Sequence, residues 1–348
     1  MVAKNTIALR SLGKSFVGPI LVSYVAAIAR KTSEHPFKLF ALAREGYFLQ
    51  QALKVANIDS TYLLASRTFL FRICIHLPDS WQWSLAGQYV GTVGSFLQDR
   101  FGFTQQTLSL IFDKTLLKES VDLSSSSDLQ AMEAFLEDNL ELLREQTRPS
   151  REAYLAYLQH VGFMDSQFTP MLLDLGYSGT IQKLLTLLTA QHTEGFYVIA
   201  TKPGTSIVAG KEVTMHGCFK EGVKLGDGYL MLDRSMFVEC LLTSPNGQFV
   251  DIDQLGGTKE MPFTFYYGRE TNAQRYFIDL EHVMQGALSH VAHCHRHCIT
   301  YSVEEVEQLF KPYVTRRNML PRESWHLFMA DDSISGNSFI NPLQFFCL

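Results

Sequence analysis

The chain lacks the marks of several broad protein classes. Its 30 Lys and Arg are outnumbered by 35 Asp and Glu, for a net charge of −5, and the basic pairs Arg30-Lys31 and Arg316-Arg317 stand alone. A nucleic-acid binder gathers its cations into a stripe facing the phosphates, so no nucleic-acid partner is expected. Charged residues make up only 19% of the 348 and hydrophobic ones 46%. That balance excludes a disordered chain and allows a sizeable core, in one large domain or two smaller ones. The six cysteines (Cys74, Cys218, Cys240, Cys294, Cys298 and Cys347) are scattered and read as reduced thiols, not a disulfide framework. The apolar stretch over 16–28 runs into Ala29, Arg30 and Lys31 without a cleavage site. It is shorter than the ~18 residues that cross a bilayer, and no other segment reaches that length. The expectation is a soluble, cytoplasmic protein with no signal peptide and no transmembrane segment. Walker loops, dinucleotide fingerprints and Gly-x-Ser-x-Gly elbows are also missing.

What is present is a strand–turn–helix grammar. A largely helical segment over 11–31 is broken by Pro36. Then Phe37-Lys38-Leu39-Phe40-Ala41-Leu42 follows as a short apolar run, the pattern of a buried strand. Residues 43–46 form a turn, 47–55 read as helix, and 62–65 read as a second strand ending at Ser66-Arg67. Residues from about 78 to 165 are mostly helical, with a serine loop over 124–127 ending at an N-cap before Asp128. The grammar then returns: a strand over 171–174, a glycine-containing turn, a helix over 180–189 and a strand over 195–200. Beyond Lys202 the pattern is mixed, with helices over 233–243, 272–297 and 303–313 and strands over 248–251 and 262–266. Such alternation predicts an α/β fold with a Rossmann-like parallel sheet covered by helices. The expected division is a core over 1–205, carrying the helical insertion, and a mixed α/β C-terminal region over 206–348.

In open α/β sheets ligands bind beyond the carboxyl ends of the strands, and two turns lie there. In Asp174-Leu175-Gly176-Tyr177-Ser178-Gly179-Thr180 the glycines let the backbone approach an anion, and the following helix offers free N–H groups. Ser178 and Thr180 add hydroxyls, and Asp174 is placed to accept from sugar hydroxyls or to help hold Mg²⁺. In Ala43-Arg44-Glu45-Gly46 the arginine and glycine would meet a second anionic group, with Arg67 joining as a bidentate clamp. The bland alternatives are a plain strand-to-helix connection and, for Asp174, a polar cap.

These two segments resemble the PRPP loop and the pyrophosphate loop of type I phosphoribosyltransferases. They are closer still to a group of bacterial polysaccharide-cluster proteins with LAR(D/E)GYFL, YL..SR and D(I/L)G(W/Y)SGTIQ segments. Here those segments are 42–49, 62–67 and 174–182. Residues 16–30 and 237–245 are similar as well, so the likeness is patchy over about 11–252. The resemblance implies a type I phosphoribosyltransferase fold with PRPP (5-phosphoribosyl diphosphate) as donor and Mg²⁺ as cofactor. It implies Ala43, Arg44, Glu45, Gly46, Ser66 and Arg67 at the pyrophosphate. Asp174, Gly176, Tyr177, Ser178, Gly179 and Thr180 would meet the ribose and its 5-phosphate. The implied reaction moves 5-phosphoribose onto a sugar hydroxyl of a lipid-linked glycan, with inversion to a β-ribofuranoside. A companion HAD-type phosphatase would then remove the 5-phosphate, alongside other glycosyltransferases, and the lipid-linked acceptor would reside at the inner membrane, where a cytoplasmic protein could meet it peripherally. This sequence departs from the family in having Leu173 at the first acidic position and a loop one residue shorter.

Asp174 and Glu239 are the candidate general bases, although Glu239 lies on an apolar helical pattern that also suits a partnered structural carboxylate. Two other readings stay open. A HAD-like phosphohydrolase requires a nucleophilic Asp near an N-terminal strand, and none is there. A non-catalytic subunit of a polysaccharide assembly complex would keep the fold without donor binding. His293-Cys294-His295-Arg296-His297-Cys298 offers half a metal site at helical spacing, with no second half in sight, and reads rather as a helix end. Val250-Asp251-Ile252-Asp253 reads as a surface turn. Phe265, Tyr266, Tyr267, Trp81 and Trp83 could stack on sugars but read as packing.

Overall fold

The computed structural model describes residues 2–33, 35–254, 262–331 and 339–348, with side chains from Asn5 onward. Its strands are β1 (Phe37–Leu42), β2 (Thr61–Leu63), β3 (Val90–Thr92), β4 (Ser120–Asp122), β5 (Thr169–Asp174), β6 (Thr193–Ala200), β7 (Gly204–Val208), β8 (Lys211–Glu221), β9 (Phe249–Asp253), β10 (Thr264–Tyr267), β11 (Ala330–Asp331) and β12 (Phe339–Ile340). Six of them form one sheet in the order β2-β1-β5-β6-β8-β7. Every pairing in it is parallel except that of the edge strand β7 with β8. The architecture is thus mixed α/β with a mostly parallel sheet, compatible with a Rossmann-like fold.

Alternation along the strands sends successive side chains to opposite faces. On β1, Leu39 and Ala41 enter one core while Phe40 and Leu42 enter the other; on β5, Met171 and Leu173 part from Leu172 in the same way. The first core is capped by helices from both ends of the chain, through residues such as Ile20, Tyr24, Leu280, Val283 and Phe310. The second is filled by the insertion and by β9, through Phe96, Leu136, Tyr154 and Phe249. A sheet covered on both faces needs the continuous apolar runs that β1 and β5 show.

The helix after β1, Gly46–Val55, packs in the first core, and the helix after β5, Thr180–Thr189, packs in the second. β1 and β5 are hydrogen-bonded neighbours with Phe40 opposite Leu172. The two chain exits therefore diverge to opposite faces at this point of the sheet, opening a crevice between them.

Several elements differ from the sequence reading. The sheet runs past residue 205 through β7 and β8 to Glu221, and C-terminal residues complete both cores, so the line at 205 cuts through the sheet. The insertion contains the small antiparallel ribbon β3–β4 besides its helices. The helix after the serine run starts at Ser126, capped by the Ser125 hydroxyl accepting from the Asp128 N–H. Asp251 and Asp253 lie on β9, paired with β10, not on a turn.

The N-terminal helix is longer than expected, running Val2–Leu12, a π-turn Gly13–Val17 and Gly18–Thr32 without a break. Asn5–Thr32 spans 28 residues and contains an 18-residue stretch of mean hydropathy 1.6, long and apolar enough to cross a membrane by length and composition, and 72% of that stretch is buried within the protein. This helix crosses the helix Phe277–Arg296 at backbone contact. A Cβ on Gly286 would lie 2.0 Å from the Arg10 carbonyl oxygen, and one on Gly13 would lie 1.8 Å from that of Val283. Gly286→Ala should therefore destabilise the protein by about 1–3 kcal/mol through overpacking, despite alanine's better helix propensity. An unchanged denaturation midpoint in urea would contradict this close crossing.

Candidate functional site

A pocket of about 400 Å³ opens at the crevice between β1 and β5. The loop after β1 contributes Ala43, Arg44 and Glu45. The end of β2 contributes Ala65, Ser66, Arg67 and Thr68, and the loop after β5 contributes Asp174 through Ser178. The two turns singled out from sequence thus face one cavity. The Ala43–Arg44 peptide bond is cis, and the Ala43 N–H is tied to the Leu63 carbonyl at 2.9 Å, which pins the start of the first loop to β2.

The floor is acidic. Burial and the nearby charge of Glu45 push the Asp174 carboxyl up to about 7, with Glu239 adding to the rise; N–H groups of Gly176 and Leu175 donate to it and pull the other way. Glu239 is likewise raised, chiefly by burial, and the Tyr177 hydroxyl donating to its Oε1 at 2.7 Å opposes the shift. Glu45 is held beside them by accepting from the Arg44 N–H at 3.0 Å. Asp174 is thereby brought to the neutral range in which a proton acceptor works.

Cations sit at the rim and one end. Arg67 is exposed on the first turn of the helix Arg67–Ile73. Arg44 Nη1 lies 3.9 Å from Asp331 Oδ2, beyond hydrogen-bond reach, and is a buried donor with no hydrogen-bond acceptor among the described residues. Arg269 Nη2 approaches the other Asp331 oxygen at 3.2 Å.

Not every expected residue reaches the cavity. Gly46, Gly179 and Thr180 do not line it. Gly46 faces the sheet: a Cβ there would stand 2.4 Å from the Ala41 carbonyl carbon, so glycine lets the helix begin hard against β1. Gly179 is the N-cap, with φ +67. The Thr180 Oγ1 is 3.1 Å from the Ser178 hydroxyl, which does line the pocket. Ser66 lines it too, but its hydroxyl donates to the Phe249 carbonyl at 2.7 Å and caps its own helix by accepting from Phe69 N–H. Gln182, in the same sequence segment as Asp174, is fully buried and ties the helix to the sheet through the Thr193 and Thr214 carbonyls.

The remaining wall was not visible in sequence. Gln98, Asp99 and Gly102 come from the insertion, Gln248, Phe249 and Val250 from the start of β9, and Arg269 and Asp331 from further on. Arg72 gathers these walls: its guanidinium donates to the Gly102 carbonyl at 3.2 Å and the Val250 carbonyl at 2.8 Å, and pairs with Asp251 at 3.0 Å. Asp251 is thus committed to an ion pair.

At the end of the helix Phe277–Arg296, the His293 and His297 rings lie 4.6 Å apart. Among the described residues no group of three His, Cys, Asp or Glu side chains could hold a metal ion. Mg²⁺ commonly binds through one or two carboxylates plus substrate phosphates, so the donor set at Asp174 and Glu239 fits an ion brought in on a phosphorylated ligand. Trp81 is buried with its indole N–H on the Ile75 carbonyl, and Phe265 packs against Tyr157. No protein-family model matches the chain, and no curated protein matches it.

Proposed function

We propose that the protein is a PRPP-dependent phosphoribosyltransferase that glycosylates a sugar hydroxyl in bacterial polysaccharide assembly. The observation that carries this reading is the convergence of two strand-end loops on one crevice, with arginines at one end and the buried carboxyls of Asp174 and Glu239, both raised above the usual carboxylate range, on the floor. A diphosphate needs the first and a ribose ring the second. In the proposed reaction the bond from ribose C1 to the diphosphate oxygen breaks with its electron pair leaving on the diphosphate. Arg44 and Arg67 stabilise that charge. The acceptor oxygen bonds C1 from the opposite face, giving the β-anomer. Its proton passes to a carboxylate, for which Asp174 and Glu239 are the candidates. Mg²⁺, when bound on the donor, supplies further charge neutralisation at the diphosphate. The acceptor would be a lipid-linked glycan, the product a β-ribofuranoside 5-phosphate, and a separate HAD-type phosphatase the next enzyme.

Calorimetric titration of PRPP with Mg²⁺ tests the donor assignment. Micromolar binding is expected for the wild type, with loss in Asp174→Ala and Arg44→Ala. A folded wild-type protein that ignores PRPP would remove the donor from the assignment and favour a non-catalytic role in the same assembly.

A further inference from the structure

We infer that Arg269, from the C-terminal region, belongs to the diphosphate end of the donor pocket and forms a paired guanidinium clamp with Arg44. The inference rests on the donor reading above and assigns a residue that neither strand-end loop contains.

Arg269 lies just beyond β10 and lines the same cavity as Arg44 and Arg67. Asp331 spans the two: one of its oxygens is 3.2 Å from Arg269 Nη2 and the other 3.9 Å from Arg44 Nη1. Two guanidinium groups are thus held at opposite oxygens of one nearly buried carboxylate, whose side chain is 7% exposed. Arg44 Nη1 also lacks a hydrogen-bond acceptor among the described residues although it is buried, which is an unmet demand in a low-dielectric setting. Arg269 is the more accessible partner, 39% exposed, and its guanidinium is steadied 5.3 Å above the Phe339 ring. A planar fork fixed on one side by a carboxylate and below by an aromatic ring keeps its remaining N–H groups for a second oxyanion. Among anionic ligands, a diphosphate has oxygens enough to engage both arginines at once. Asp331 acts here as a positioning residue that sets where the two forks stand.

The geometry gives the C-terminal part of the chain a role at the donor, with the acceptor side left to the uncharged and acidic wall of Thr68, Gln98, Asp99 and Gln248.

Two probes separate the two ends of the donor. Inorganic diphosphate with Mg²⁺ reads the arginine end, and ribose 5-phosphate reads the loop after β5. Calorimetry on the full chain should show Arg269→Ala weakening diphosphate by about tenfold or more, with ribose 5-phosphate affinity held within about twofold. Arg269→Lys should recover part of the loss, because charge returns without the fork. Both variants are at a partly exposed position, and matching melting curves will show that they fold. If the wild type binds both probes and Arg269→Ala leaves diphosphate unchanged, or weakens both equally, the clamp is wrong while the donor reading stands. If the wild type binds neither probe, the donor reading fails and the clamp with it.

Discussion

Asp174→Asn is expected to weaken donor binding about 100-fold and, at pH 8, to make the protein more stable. The physical reason is that this carboxyl is pushed up to about 7 by burial and by the charges of Glu45 and Glu239. Below about pH 4 the folded and unfolded chains both hold the proton, so ionisation adds nothing to their difference. As pH rises, the unfolded chain ionises first while the folded one keeps its proton to about 7. Stability from this site is therefore lost between ~4 and ~7 and stays lost above. The expected cost at pH 8 is on the order of 2–4 kcal/mol. Asparagine is nearly isosteric, carries no charge, and its carbonyl can still accept from the Leu175 and Gly176 N–H groups. The variant should melt at least about 3 °C higher at pH 8, with the gain fading toward pH 4. Its affinity for PRPP with Mg²⁺ should fall by about 100-fold, since a charge-assisted acceptor is gone. Stability gained while binding is lost marks a site kept strained for function. A lower melting temperature at pH 8 would instead make Asp174 a polar cap of its own loop, the bland reading of the turn.

The parts of this architecture that could be read from sequence are those whose signals are local. Phe37–Leu42 and Thr180–Thr189 were bounded correctly because a buried parallel strand is a short apolar run and a helix after a glycine turn restarts the 3.6-residue period. The hairpin β7–β8 escaped because it closes the sheet at an edge. Residues 204–207 are all exposed, and the buried alternation on β8 is only Val213, Met215 and Phe219, interrupted at Gly217, so β7 carries no apolar stripe and β8 a broken one. The ribbon β3–β4 is three residues on each side, too short for any period to register. For the pocket, the same limit applies more strongly. Asp174 and Arg44 sit at strand ends and are found by position alone. Glu239 was named, but its pairing with Tyr177 was not, because 62 residues separate them. Arg269 and Asp331 reach the cavity through tertiary packing, and nothing in their flanking sequence sets them apart from other charged residues. Gly46 and Gly179 were expected at the ligand. They serve instead to bring helices close to the sheet and to turn the chain, uses of glycine that a sequence pattern cannot separate from anion binding.

Donor affinity should itself depend on pH, and with a definite sign. In the proposed donor complex the ionised form of Asp174 is the one that would accept from ribose hydroxyls and tolerate a nearby cation. In the free protein that form is populated only as pH rises through about 7. Binding of PRPP with Mg²⁺ below this value must therefore expel a proton from the pocket, so the apparent dissociation constant should rise by up to about tenfold for each pH unit below 7 and level off above it. Titrations at pH 5.5, 6.5, 7.5 and 8.5 would trace the profile, and repeating one in buffers of different ionisation enthalpy would count the protons released. The donor's own phosphates also titrate near pH 6, which adds a slope that has nothing to do with the protein. Asp174→Asn separates the two contributions, because whatever weak binding it retains should keep only the ligand's slope. The charge of Glu239 is one of the causes that raise Asp174, so Tyr177→Phe, which removes the hydroxyl stabilising ionised Glu239, should leave Glu239 more protonated and move the wild-type profile to lower pH. A profile that is flat from pH 6.5 to 8.5 in the wild type would mean that Asp174 does not meet the donor, and that the carboxylates on the floor of the pocket belong to the acceptor.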